Sequence, residues 1–373
     1  MIRLYNEEDI EDIITLEKKI LNTTLGDSLY IDLENPFARH YVYIDNNKLL
    51  GYISSVFDGD MISIMNFCVD DNYQNKHIGS SLLNYLLIQC IKENNNLTGA
   101  ILEVRESNKR AIHVYESFGF KNIHTRKNYY SDLENALVLM KEFNHYDDIL
   151  NNYLANYCNI ERKNDYIKYS DNIQADKYFH NYYKFFDNEN ALDFISENND
   201  DYLMVLVNKP LNIKDLIIEK EAIMYSSLKM LNLRNYISKG NIKIIDNDND
   251  LYNIIYKDSI KYGKNYANSE ALRKLDKHNN IFHYGIYIDN TIVGYLLVYT
   301  NLNSIYITDF FILPEYQHQG YGVSLFKNIV DYYKNNGYFD CYLCADLEDS
   351  VINWYQKIGF VVINKNYYYR RCK

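Results

Sequence analysis

Apolar positions recur along this chain at two spacings, and the order in which those spacings alternate occurs twice. Ile10, Ile13, Ile14, Leu16 and Ile20 fall at helical intervals after a short β-prone start, so residues 10–20 are read as an amphipathic helix. The runs Tyr41-Val-Tyr-Ile and Leu49-Leu-Gly-Tyr-Ile-Ser-Ser-Val flank Asp45-Asn46-Asn47, a hairpin signature. A strand over 64–69, a glycine-bearing loop and an apolar helix through Leu82, Leu83, Leu86 and Leu87 come next. A strand over 100–104, a helix over 108–117 ended by Gly119, and strands near 120–126 and 136–141 close the first pass.

From residue 241 the plan repeats. A strand starts at Ile242, a helix runs over 251–262, and a hairpin joins 282–288 to 292–298 through Asp289-Asn290. A strand over 305–313, a second glycine loop, and a helix through Leu325, Phe326, Ile329 and Val330 come after it, then a strand over 341–345 and a helix around 350–357. A repeat this long means duplicated domains, not a solenoid. Residues 146–240 begin polar, with Asn151, Asn152, Asn156 and Asn159, yet hold a strand pattern at 202–207 and a helix pattern at 217–233. The organisation expected is a domain over 1–145, an α/β middle segment over 146–240 that supports the carboxy-terminal unit, and a second domain over 241–373. The fold class is α/β (α+β): two mixed sheets flanked by helices.

Composition narrows the chemistry. Hydrophobic residues make up 47% of the 373, enough for two cores, and no apolar stretch is long enough to span a membrane. The 39 basic and 50 acidic residues leave a net charge of −11 without a basic stripe, which argues against a nucleic-acid partner. Six scattered cysteines and an acidic start unlike a secretory signal point to a reducing cytoplasm. Cys341 and Cys344 form a lone C-x-x-C in a strand-like run and are read as buried free thiols; no metal is expected.

The two loops carry the strongest signal. Gln74-Asn75-Lys76-His77-Ile78-Gly79 and Gln317-His318-Gln319-Gly320-Tyr321-Gly322 stand 243 positions apart. Strand, glycine loop, helix is the arrangement in which backbone N–H groups and a helix N-terminus converge on a phosphate. Neither loop ends in Lys-Ser/Thr, so a nucleoside-triphosphate site is not implied.

With Tyr-x-x-x-Gly-Phe at Tyr115 and again at Tyr355, this order of elements resembles the GNAT acetyltransferase family in both end units. The resemblance implies acetyl-CoA as cofactor, its pyrophosphate on the loop and its pantetheine arm in a gap beside the preceding strand. It places Cys68, Val69, Gln74, Lys76, His77, Ile78, Gly79, Ser80 and Asn108 on the cofactor in the first unit. In the second it places Ile312, Leu313, Gln317, Gln319, Gly320, Tyr321, Gly322 and Val323 there. The segments Leu102–Phe120 and Arg126–Met140 are similar, more narrowly, to ribosomal-protein-alanine N-acetyltransferases. That similarity implies Glu103 as general base, Tyr115 as general acid, and Tyr129, Tyr130 and Glu134 beside the acceptor amine.

The chemistry needs those types. An α-amine with a pKa of about 8 must lose a proton before attacking a thioester, and a strand carboxylate can take it. A phenol can protonate the departing thiolate, and a backbone N–H at an irregular strand can hold the oxyanion. A glutamate alone on a strand usually lies on a solvated face; Asn108 and Tyr115 at fixed distances are what mark Glu103. His77, where the family carries glycine, either keeps a negative φ or weakens pyrophosphate binding. In the second unit Tyr355 matches Tyr115, but alignment on the tyrosine sets Leu343 at the glutamate and Glu348 at the asparagine. Asp346 is the remaining candidate base there, or else a turn residue.

The expected function is transfer of acetyl to a primary amine, foremost a protein or peptide N-terminus. The alternatives are a small-molecule amine acetyltransferase run by the second unit and a non-catalytic acetyl-CoA-binding module. A monomer or homodimer is expected.

Overall fold

The structure is a computed structural model, and it describes residues 1–94, 96–171, 181–198, 200–214, 216–233 and 236–371. The chain divides into two compact units, Met1–Asn144 and His145–Lys373.

The first unit runs β1 (Ile2–Leu4), α1 (Ile10–Leu21), α2 (Ser28–Asp32), β2 (Tyr41–Asp45), β3 (Lys48–Asp58), β4 (Met61–Val69), α3 (Ile78–Glu93), β5 (Gly99–Arg105), α4 (Lys109–Glu116), β6 (Lys121–Arg126) and β7 (Ala136–Glu142). Its sheet has the order β1-β2-β3-β4-β5-β7-β6. A capping box of Asn6 and Asp9 sets the entry to α1, whose Ile10, Ile13 and Leu16 are buried against Val42, Leu49 and Tyr52. Asn46 and Asn47 both take positive φ, the two-residue turn whose twist suits a hairpin.

The second unit opens with α5 (Tyr146–Leu154), β8 (Asn159–Arg162), β9 (Tyr166–Ser170), β10 (Tyr182–Phe185), α6 (Asn188–Glu197), β11 (Met204–Val207) and β12 (Ile217–Ser227). It continues with β13 (Asn241–Ile244), α7 (Asp248–Ser259), α8 (Lys264–Arg273), β14 (Ile281–Ile288), β15 (Thr291–Asn301) and β16 (Ser304–Ile312). α9 (Tyr321–Asn335), β17 (Asp340–Asp346), α10 (Val351–Ile358) and β18 (Val361–Arg370) end it. Its sheet has the order β13-β14-β15-β16-β17-β12-β18-β11-β10-β9-β8. Strands from 146–240 and from 241–373 therefore share one sheet. The first seven strands of that order match the whole first sheet, with one exchange: the place β7 holds between β5 and β6 is taken by β12, which precedes the repeat in sequence.

The helix expected over 217–233 is thus a strand. Residues 222–227 are buried without interruption, because β12 is central and covered on both faces. A continuous apolar run reads equally as buried helix or buried strand, and tertiary pairing overrode the helix propensity of its Glu, Lys, Ala and Met. Conversely, the polar-looking stretch after residue 145 forms α5, whose Tyr146, Ile149, Leu150, Tyr153 and Leu154 are buried at helical spacing between its asparagines. No helix among the described residues is long and apolar enough to cross a membrane.

Candidate active site

In each unit two parallel neighbours pair and then part. β4 and β5 are in register from Met61↔Gly99 to Ile64↔Leu102, and β16 and β17 from Ser304↔Asp340 to Ile307↔Leu343. Beyond those points the strands splay. Just there β4 carries a bulge against β3, between the Ile53↔Phe67 and Ser55↔Ile64 pairs, and β16 carries the same bulge between Leu296↔Phe310 and Val298↔Ile307. An extra residue bends the strand and frees backbone groups from the ladder.

The bulge of β4 is anchored. Asn66 exchanges hydrogen bonds with Ser54 through its backbone, and its amide nitrogen donates to Glu17 Oε1 at 2.7 Å. Glu17, on α1, is 0% exposed and also accepts from Thr24 Oγ1 at 2.7 Å and Leu25 N–H at 3.0 Å. The second unit builds the same corner from different groups. Asp309 stands in place of Asn66, and Lys274 pairs with it and with Glu270. Asp258 takes the place of Glu17 and accepts from Tyr295 at 3.0 Å, the tyrosine equivalent to Tyr52. Burial pushes the Asp258 carboxyl up, whereas the Lys274 ammonium and hydrogen bonds hold that of Asp309 down against its own burial.

Both glycine loops have one backbone course. Asn75 and His77 take φ of 62° and 63°, His318 and Gly320 of 59° and 87°. His77 therefore occupies the left-handed region itself, so the negative-φ alternative does not hold; a histidine is tolerated there at a cost of about 1 kcal/mol. The side chains of Gln74 and Gln317 turn inward, donating to Val69 O at 3.2 Å and Ile312 O at 2.9 Å, and so clasp each loop to its strand end. Two cations that sequence patterns did not single out bear on the loops. Arg110, in the first turn of α4, binds Gln74 and reaches Asn75 Oδ1 at 2.7 Å. Lys239 donates to Gln319 O at 2.8 Å and lies 3.9 Å from where a Cβ on Gly320 would sit. Arg110 was legible in principle as a charge two positions after Asn108; Lys239 was not, being 80 residues from its partner.

In the first unit a cavity of about 480 Å³ joins the splayed strand to the loop. Cys68, Val69, Gln74, His77, Ile78, Gly79, Ser80, Asn108, Arg110 and Tyr115 are on its lining, while Lys76 is not, its ammonium lying over the Tyr73 ring at 4.6 Å. Asn108 caps α4 by accepting from Ala111 N–H at 3.1 Å. Tyr115 is buried between Phe67 and Phe120, and burial, with Tyr130 and Cys68 adding, pushes its phenol well above the ordinary value, so it stays protonated. Glu103 sits one residue past the parting of β4 and β5, its carboxylate 3.1 Å from Arg126. The Arg126 guanidinium lies over Tyr129, and Tyr130 is close enough to feel the charges of Glu103 and Arg105.

Glu134 departs from expectation. Its carboxylate accepts from Ser107 N–H at 2.8 Å and pairs with Arg105 at 2.7 Å, and these contacts with Ser107 and Arg105 pull its pKa down to about 2. It is committed to the end of β5 and the segment after it, not presented to an amine.

In the second unit Gln317, Gly320, Tyr321, Gly322 and Val323 lie on the loop and first turn of α9, with Ile312 and Leu313 at the strand end and Gln319 donating to Glu315 O. A Cβ on Gly322 would press on Phe310 at 3.3 Å, as one on Gly79 would on Phe67 at 3.4 Å. Tyr355 is buried beside Phe326 and Phe360, and burial raises its phenol as in Tyr115. Asp346 is exposed at the end of β17 and accepts from Glu348 N–H at 2.8 Å, a turn contact. Glu348 is exposed near Lys220, at 3.7 Å. Cys341 and Cys344 are free thiols, Cys341 buried as expected and Cys344 only half-buried.

A splayed parallel pair beside a bulge, continued by a glycine loop into a helix and present twice, defines a class, and the chain belongs to it. Residues 6–120 and 249–360 match the acetyltransferase (GNAT) family. The amino-terminal region resembles ribosomal-protein-alanine N-acetyltransferases. The [ribosomal protein bS18]-alanine N-acetyltransferase of Haemophilus influenzae is 32% identical over 141 residues, 37% of this chain and 88% of that one. That of Escherichia coli K12 is 35% identical over 97 residues, of which 25% of this chain and 64% of its own length are covered. The crystal structure of Ard1 from Thermoplasma volcanium is 28% identical with a TM-score of 0.36, covering 39% of this chain and 98% of that one.

Proposed function

We propose that the Met1–Asn144 unit transfers acetyl from acetyl-CoA to the α-amine of a protein or peptide N-terminus. One observation carries this: where β4 parts from β5, one residue before Glu103, a cavity lined by Phe67 and Cys68 of the splayed strand runs past Tyr115 to the glycine loop. The cavity suits acetyl-CoA. Its loop has no Cβ at Gly79, where one would contact Phe67 at 3.4 Å, and the αL residues turn successive N–H groups toward one side. When bound, acetyl-CoA supplies a thioester whose carbonyl carbon is the electrophile.

The residues then divide the work. Gln74, held by Arg110, fixes the loop; Asn108 starts α4 so that Tyr115 reaches the cavity floor. Glu103 takes the proton of the incoming ammonium, and the neutral nitrogen forms the C–N bond as the C–S bond breaks. Tyr115, kept neutral by burial, gives its proton to the leaving sulfur, and the proton shed by the acylated nitrogen restores the phenol. Asn66, tied to Glu17, keeps the bulge in the shape that leaves backbone N–H groups free for the oxyanion. Relatives named for acetylating an alanine terminus of a ribosomal protein support an α-amine over a lysine, whose pKa near 10.4 makes deprotonation harder.

Full-length protein is assayed on Ala- and Ser-start peptides, an amino-terminally blocked Lys peptide and spermidine. The Ala- and Ser-start peptides are the expected substrates, with Glu103→Gln losing roughly 10²- to 10⁴-fold in turnover at little change in CoA affinity. Preference for the Lys peptide or spermidine, or full activity of Glu103→Gln, sinks the reading.

A further inference from the structure

Strand register fixes which residues of the two units correspond. Because β4–β5 pairing ends at Ile64↔Leu102 and β16–β17 pairing at Ile307↔Leu343, Leu343 is the counterpart of Leu102, and Cys344 that of Glu103. Alignment on the tyrosine is off by one, since the segment between strand and helix is one residue shorter in the second unit. By the same register Tyr306 stands for Ser63, Thr308 for Met65 and Tyr342 for Ile101. In the first unit this face of the parting strands is open: Ser63, Ile101 and Glu103 are half-buried and Met65 is 55% exposed. An acceptor heading for Glu103 has to cross it.

In the second unit a helix lies on that face. The Tyr146 ring of α5 stands 5.7 Å from Tyr306 and 6.4 Å from Tyr342, and its hydroxyl is 2.8 Å from Cys344 Sγ. About two turns further on, Tyr153 stands 5.7 Å from both Tyr299 and Tyr306, with its hydroxyl 3.4 Å from Thr308 Oγ1. The counterparts of all four open positions are thus in contact with one helix, which buries Tyr146, Ile149, Leu150, Tyr153 and Leu154. The preceding strands of the arm fasten it there: Asp147 pairs with the buried Lys184 of β10 at 2.6 Å, and Tyr169 of β9 donates to Asn151. The proton acceptor has gone as well. Burial, with Glu221 adding, pushes the Cys344 thiol up, so it stays protonated, and the carboxylate of Glu221 is engaged by Tyr368 and Asn366.

The cofactor side of the same unit keeps its parts. Gln317 clasps the loop to its strand, and Lys239 sets a cation against Gln319 O. The backbone of Lys239 is held in turn by the buried Ser324 of α9, whose hydroxyl accepts from its N–H at 2.7 Å and donates to its carbonyl at 2.8 Å. A cation beside successive backbone N–H groups suits the diphosphate of acetyl-CoA. We propose that the His145–Lys373 unit binds acetyl-CoA without passing its acetyl group on, because α5 fills the face that an acceptor amine would use. A helix held by tyrosine contacts and an ion pair to a buried lysine is a fixed occupant of that face, not a lid. Bound acetyl-CoA then keeps its thioester and stabilises the unit by mass action instead of being consumed. The inference rests on the reading of the first unit only for which face an acceptor crosses.

The test uses the full chain carrying Glu103→Gln, with and without Gly320→Val, and takes an Ala-start peptide and spermidine as acceptors. Hydrogen exchange of α9 peptides should slow on adding acetyl-CoA in the first variant and not in the second. Acetyl transfer to either acceptor should agree between the two variants within about twofold. Absence of α9 protection overturns the proposal, and so does any transfer that Gly320→Val removes. Transfer left equally in both variants agrees with the proposal and counts against the reading of Glu103 alone. Peptide-resolved alkylation of Cys344 by iodoacetamide tests the cover itself. Tyr146→Ala should speed it about tenfold or more, whereas acetyl-CoA should leave the parent's rate unchanged. A rate raised by acetyl-CoA would make α5 a lid, and a rate indifferent to Tyr146→Ala would mean the face is open; either result overturns the proposal.

Discussion

Asn66→Asp turns the anchored corner of the first unit into a test of why the two bulges are built from different groups. The substitution removes a donor 2.7 Å from Glu17 Oε1 and sets a second carboxylate against one that is 0% exposed. Two unit charges about 4 Å apart repel by roughly 4 kcal/mol at an effective dielectric of 20. Losing a hydrogen bond to a charged group adds about 2 kcal/mol. The pair escapes by sharing one proton, which restores a hydrogen bond and costs about 4 kcal/mol at pH 7 for a carboxyl of ordinary pKa near 4. The cheaper route sets the cost: about 4 kcal/mol at pH 7. The folded variant then binds one more proton than the unfolded chain, so its deficit relative to the parent shrinks by about 1.4 kcal/mol per pH unit on acidification. Asn66→Ala, which only removes the donor, should cost about 2 kcal/mol at any pH in that range. Asp309 escapes this penalty because Lys274 pairs with it, a cation for which α1 and β4 have no equivalent at Glu17. Hydrogen exchange of peptides from β4 and α1, read by mass spectrometry at pH 7 and pH 5 against the parent, measures both variants. Equal costs for Asp and Ala, or a deficit that does not shrink at pH 5, would refute the reasoning.

Two further outcomes concern the second unit. Burial, with the Lys274 ammonium adding, holds His283 at a pKa of about 4 against an ordinary 6.5, so between those values the unfolded chain binds a proton that the folded chain refuses. Stability present at neutral pH should erode as pH falls from about 6.5 to about 4, by up to about 3 kcal/mol, and His283→Leu should flatten that slope in urea titrations. Gly320→Val places a β-branched residue at φ 87° and should cost about 1–2 kcal/mol. Calorimetry of the full chain should then lose one of two CoA sites, and two sites of unchanged affinity would show the loop does not bind there.

Much of the fold was legible because its signals are local. Hairpin turns at Asn46-Asn47 and Asp289-Asn290, the spacing of Ile10, Ile13 and Leu16, and both glycine loops each depend on neighbours a few residues apart. The loop and Tyr115 could be placed together because the repeated motif fixes their order along the chain, whereas Glu103, which the second unit does not repeat, was marked by the resemblance of Leu102–Phe120 alone.

What the chain pattern could not decide are the matters settled by pairing across long separations. The apolar run of β12 is compatible with helix or strand; only its place between β17 and β18, with both faces covered, makes it a strand. The same placement brings Glu221 beside Cys344, 123 positions away. The resemblance set Glu134 beside the acceptor amine, but in the fold Arg105 and the Ser107 N–H claim it. His77 looked like a defect, yet the backbone course it shares with Gly320 is kept at a modest cost in φ. Local pattern determined most of the elements and where the two glycine loops lie. Burial, strand register and the partners that folding supplies decided which groups each carboxylate meets, because a charge's role depends on what stands within a few ångströms of it.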